Sequence, residues 1–130
     1  MVAGGEVSEI FADARQMHGS ALEKLAEGDI RDAAEKAWCA TLRATQSLIL
    51  ARTGEEPSTT AVASDGLDAL ARVDRRCETL KARYYSRIYH LHAQCFYNGR
   101  CESPEIRRRI IETADYIRDA EALAWPYPSP

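Results

Sequence analysis

ALEKLAEGDIRDAAEKAWCATLRATQSLILARTGEEP, residues 21–57, is the stretch whose reading decides the fold. Within it Ile30, Ala33, Ala34, Ala37, Trp38, Thr41, Ala44, Thr45, Leu48 and Leu50 recur at helical spacing, which predicts a helix to about residue 52. Gly28 stops the helix before it, and the carboxylate of Asp29 is placed to cap the first free amides of the next. The many alanines allow other helices to pack closely against this one.

Working outward, Val7, Ile10, Phe11, Ala14, Met17, Ala21, Leu22 and Leu25 line one face of a first helix over about residues 7–27. On the other side, TGEEPSTTAVAS (residues 53–64) carries Gly54, Pro57 and a Ser/Thr run and is expected to be a loop. A long apolar series follows, Leu67, Leu70, Cys77, Leu80, Tyr84, Ile88, Leu91 and Cys95, which makes one long helix or two with a break near residues 75–79. Asn98-Gly99 suits its C-cap. Ser103 then serves as N-cap with Pro104 at the first helical position, and a last helix is expected to about residue 124. The tail WPYPSP cannot continue it, because its prolines lack backbone donors. No segment alternates as a half-buried strand does, and no repeat is present. The expected fold is all-α, an up-and-down bundle of four to five helices over residues 6–124, with a flexible lead-in at 1–5 and a Pro-rich tail at 125–130.

At 130 residues the chain fits one domain. Its apolar share of 45% and charged share of 28% are those of a globular protein, and no apolar run approaches the roughly 20 residues of a membrane span. The first ten residues lack the basic and apolar regions of a secretion signal, so the chain is expected in the cytoplasm and away from membranes. Cys39, Cys77, Cys95 and Cys101 form no CxxC pair and are expected to be buried free thiols; a Cys95–Cys101 disulfide, or a metal site using His90 or His92, is the sharper alternative. The net charge of −3 hides a basic middle. Residues 72–109 carry ten Lys/Arg against four Asp/Glu, whereas residues 1–71 carry six against twelve. Such a segment can neutralise a few phosphates, or it can be a solvated face that complements acidic neighbours. P-loop, dinucleotide-fold, acyl-serine, zincin and di-iron motifs are all missing, and neither a cofactor nor a metal is expected.

The chemistry concentrates in RIYHLH, residues 87–92. An arginine and a histidine suffice to cut RNA without a metal: the imidazole moves the 2′-hydroxyl or 5′-oxygen proton, and the guanidinium holds the phosphate. At 100° per residue Arg87 and His92 fall roughly 140° apart, on opposite shoulders of the apolar stripe. Tyr85, Tyr89 and Phe96 share the shoulder of His92 in an aromatic stripe suited to a second copy of the chain, while Arg83, His90 and Gln94 share that of Arg87 in a polar stripe of exposed character. A histidine beside an apolar stripe is more often a packing residue than a catalyst, and RRR at 107–109 is more often a solvated turn than an RNA contact.

The all-α pattern, the long penultimate helix ending in Arg-x4-His, residues 21–57 and YHLHAQCFYNG (89–99) together resemble the HEPN superfamily, the higher eukaryotes and prokaryotes nucleotide-binding domains, and within it the small archaeal and bacterial repeat-associated proteins. The likeness covers roughly residues 6–124. In catalytic members the arginine and histidine of R-x4-6-H form a metal-independent ribonuclease site at a homodimer cleft, and many are toxins paired with a nucleotidyltransferase antitoxin. The resemblance implies Arg87 and His92 as catalytic residues, a homodimer, and RNA or a nucleotide as ligand. The position after the arginine, often polar in active members, is Ile88 here; the tyrosine of the R-x4-H-x-Y variant is Gln94. Three functions follow: a ribonuclease using Arg87 and His92; a noncatalytic RNA- or nucleotide-binding module using Arg83, Arg87, His90, Tyr85 and Tyr89 for charge and stacking; and a helical dimer whose aromatic stripe is consumed by its interface.

Overall fold

The computed structural model describes residues 4–125; the prolines of the tail, and residues 1–3, lie outside the described residues. Six α-helices make up the fold, with no strand among the described residues: α1 (Gly4–Ala26), α2 (Ile30–Thr53), α3 (Thr60–Val73), α4 (Arg76–Arg87), α5 (Pro104–Ile111) and α6 (Thr113–Ala124). Between α4 and α5, α4 continues without a break into a π-helix, Ile88–Tyr97. The count exceeds the expected four to five because the last helix breaks in two at Glu112. The supposed loop over 53–64 closes early, where Thr59 accepts from Val62 N–H and starts α3. The break expected near 75–79 falls at Asp74-Arg75, whereas α1 starts three residues before Val7 and includes Gly4 and Gly5.

α2 is the central helix and touches every other element, α1 most extensively. Its alanines 33, 34, 37, 40 and 44 are fully buried, so neighbours approach it from several sides. Buried Thr41 and Thr45 return their hydroxyls to carbonyls one turn back, at 2.8 Å each, which keeps polar groups inside without orphaned donors. The expected caps are in place: Asp29 accepts from Asp32 N–H at 3.1 Å, and Ser103 from Glu105 N–H at 3.2 Å. Gly28 and Gly99 turn the chain at φ 86° and 70°, a region that favours glycine.

At the opposite end of α2, Arg52 reaches Asp74 at 3.1 Å and the carbonyl of Leu123 at 2.9 Å, and Arg76 adds a second pairing with Asp74 at 2.7 Å. These guanidiniums hold the Asp74 carboxyl well below the usual carboxylate range. One side chain thereby ties α2, the α3–α4 junction and the end of α6 together.

The cysteine expectation is corrected. Cys95 and Cys101 are joined in a disulfide, which pins the end of the π-helix to the strand of chain leading to α5. Cys77 is a buried free thiol as expected, but Cys39 is exposed on the outer face of α2. Spacing alone did not reveal that Gly99 folds Cys101 back onto Cys95. None of the described helices is long and apolar enough to cross a membrane.

Candidate functional site

The π-helix changes how Arg87 and His92 relate. Its i→i+5 hydrogen bonds bring residues five apart close to register, whereas α-geometry keeps those four apart together. Arg87 and His92 therefore both face α2: Arg87 Nε donates to Thr41 at 2.9 Å, and His92 Nδ1 donates to Glu35 at 2.7 Å. Glu35 and Thr41 are six residues apart and about 120° apart round α2, so Arg87 and His92 meet different flanks of it. The two contacts remain separated by six residues of α2, about 9 Å of rise, with Trp38 between them. Long π-helices are rare, and such segments concentrate at functional sites.

Arg87 is also not on an exposed stripe. It is only 5% exposed. Its Nη2 donates to the Thr113 hydroxyl, its guanidinium lies 5.7 Å from the Tyr116 ring centre, and no carboxylate among the described residues forms an ion pair with it. Burial pulls its pKa down to about 10; Tyr116 and the carboxylate of Glu112 push back, and the charges of Arg83 and Arg109 add to the lowering. It nevertheless stays protonated at neutral pH. Removing a cation from water costs several kcal/mol, about, in real proteins unless something neutralises it; two hydroxyls and a ring face are partial compensation.

Its Nη1 meets no acceptor among the described residues, yet no buried side-chain nitrogen is left unpaired. Nη1 thus keeps some exposure, and Arg87 lines a cleft of about 310 Å³ between α4 and the α5–α6 pair. Arg83, Arg108 and Arg109 share that cleft with Glu112 and Asp115, four guanidiniums against two carboxylates. Arg83 is paired with Asp119 at 2.7 Å and lies 5.4 Å from the same Tyr116 ring. Arg108 is bound to Glu105 and Glu112, and Arg109 to Glu105 at 3.3 Å. Burial pushes the Tyr116 hydroxyl upward, so it stays a neutral partner, 2.7 Å from Thr45. Arg87 is the one arginine of the four without a carboxylate on it, and an anion entering the cleft would supply its missing counter-charge.

His92 is outside that cleft. Its side chain is 38% exposed, and the ring lies 6.2 Å from Trp38 and is stacked 6.2 Å from Phe96. With Nδ1–H held by Glu35, the open Nε2 is the nitrogen able to accept a proton. The imidazole is accordingly neither sealed in hydrocarbon nor beside the arginines of its own chain.

Of the other expected ligand residues only Arg83 joins the cleft. His90 Nδ1 bonds Gln94 on its own helix at 2.8 Å, its ring 4.9 Å from that of Tyr89. Tyr85 donates to Asp68 of α3 at 3.0 Å, while Tyr89 and Tyr97 are 59% and 75% exposed. Glu35 and Thr113 escaped the sequence reading because nothing links residues 35 and 113 to 87–92 before the chain folds. Arg108 and Arg109 were visible as RRR, and the cleft brings them to Arg87.

Fold and site define an all-α protein built round one buried helix, with an arginine-lined cleft on its flank. The chain belongs to the archaeal PaREP1/PaREP8 family, whose model matches residues 9–117. No curated protein and no solved structure matches it.

Proposed function

We propose that this chain is a HEPN-like helical module that binds the phosphate groups of RNA or of a nucleotide, working in the cytoplasm as a homodimer. The observation that carries this is Arg87: a buried guanidinium with no carboxylate on it, opening into a cleft shared with three more arginines. The exposed aromatic face of Tyr85, Tyr89 and Tyr97 supports the second copy. Binding of a fluorescent single-stranded RNA by the full chain, followed by anisotropy across a salt series, tests it. Arg109→Gln and Arg87→Met should each weaken binding, and each lost phosphate contact should flatten the log–log salt slope by about 0.7. Binding that is absent, or indifferent to both substitutions, overturns it.

RNA cleavage is a second function, favoured by the Glu35–His92 hydrogen bond, which orients an accessible imidazole. Arg87 would hold the phosphate, and the histidine nearest to it would come from the partner subunit across the twofold axis. A toxin of this kind would pair with a nucleotidyltransferase antitoxin. Loss of metal-free RNA cleavage in both Arg87→Ala and His92→Ala supports it; slowed growth of cells expressing the wild-type chain without a partner supports the toxin role. If the dimer forms while neither RNA binding nor cleavage is seen, the chain is a noncatalytic interaction protein.

A further inference from the structure

We infer that the arginine cleft and the cavity beside it form one site for a nucleoside phosphate, with the phosphate at Arg87 and the base in the neighbouring slot. This rests on the phosphate binding proposed above and gives that ligand a shape. The second cavity, about 340 Å³, lies along the same α4–α6 seam, where Leu80, Ala122 and Leu123 make an apolar wall. Arg83 lines both cavities and joins them. From Leu80 to Arg87 is seven residues of helix, about 10 Å of rise, which is the reach of one nucleotide.

The chemistry is graded along that line. Arg87 supplies a buried cation that no carboxylate is bonded to at one end. Arg83 and Arg76 border the slot, and a guanidinium plane packs well on the face of a base. Asp119 stands at the junction and holds Arg83 at 2.7 Å. A carboxylate there accepts from sugar hydroxyls and repels a phosphate, which fixes the ligand's direction. The base site therefore differs from the Tyr85–Tyr89 stripe expected from sequence, since neither tyrosine lines either cavity. The shared chemistry is a nucleoside monophosphate, either free or at the end of an RNA strand.

Calorimetry on the full chain with inorganic phosphate, adenosine 5′-monophosphate, and an RNA hexamer with and without a 5′-phosphate tests the site. Adenosine 5′-monophosphate should bind about fivefold or more tighter than phosphate, the least that a stacked base contributes. Ala122→Trp fills the slot from an exposed helix position, and the ratio of the two affinities should fall towards one. A hexamer that gains from its 5′-phosphate and exceeds the mononucleotide assigns the site to RNA ends; one that binds no tighter than the mononucleotide assigns it to free nucleotides. Phosphate and adenosine 5′-monophosphate of equal affinity, or a ratio unmoved by Ala122→Trp, overturns the inference alone. A folded protein that binds none of these probes overturns the phosphate function with it.

Discussion

Arg87 donates to the Thr41 hydroxyl at 2.9 Å, from a position where its own charge has no carboxylate partner. Thr41 already donates to Ala37 O at 2.8 Å, and Thr113 to Arg109 O at 3.2 Å, so neither hydroxyl is stranded if the arginine goes. Arg87→Met should therefore leave stability unchanged or raise it by about 1–4 kcal/mol, as apolar replacement of buried charges often does. Phosphate affinity should fall about tenfold or more in the same variant. Urea unfolding beside calorimetry checks both; a loss of several kcal/mol would make the cation a structural member instead.

Glu35 accepts from His92 across α2 and the π-helix. If His92 moves a proton in RNA cleavage, Glu35→Gln should slow that step by about tenfold or more, while RNA affinity holds. Glu35→Gln that lowers affinity and leaves the rate of the bound RNA unchanged would assign the pair to packing.

His18 donates from Nε2 to the Ile110 carbonyl at 2.9 Å inside the α1–α5 contact. Burial lowers its pKa; the hydrogen bond opposes this, and the charge of Arg87 adds to the lowering. The unfolded chain accordingly takes up the proton first as pH falls through about 6.5, so stability is full above that value and declines below it. His18→Gln keeps the donor without the titration. Between pH 7.5 and 5.5 the wild-type urea midpoint should drop further than that of the variant, and parallel drops would rule the histidine out.

Cys95 and Cys101 close a short loop, and the chain-entropy model gives such a closure about 2 kcal/mol. Thiol titration of the unfolded, unreduced chain should find two free groups, Cys39 and Cys77, not four. Cys101→Ser should lose about 2 kcal/mol under oxidising conditions and nothing relative to wild type under reduction. Four thiols in the unreduced chain would refute the bridge.

Much of the fold was legible in residues 21–57 and in the caps. Alanine-rich periodicity, Gly28-Asp29 and Ser103-Pro104 are local signals, set by hydrogen bonds within a few residues, and they placed α1, α2 and the start of α5. The segment 53–64 misled because Ser and Thr favour loops and N-caps alike; Thr59 chose the cap. Arg87 misled more seriously. The angle from it to His92 departs from α-geometry because the π-helix begins at Ile88, and the arginine's burial depends on Thr41, Thr113 and Tyr116, which lie 46, 26 and 29 residues away.

By itself the sequence determined that the chain is helical, where most helices begin and stop, and that its basic residues gather in the middle, because periodicity, capping and charge are properties of neighbours. Only the tertiary structure decided that α4 widens into a π-helix, that His92 meets Glu35 while Arg87 turns into the arginine cleft, and that Cys95 bonds Cys101. The reason is that each of these depends on which remote group is there to accept a hydrogen bond, balance a charge or share a sulfur, and that is settled when the helices pack.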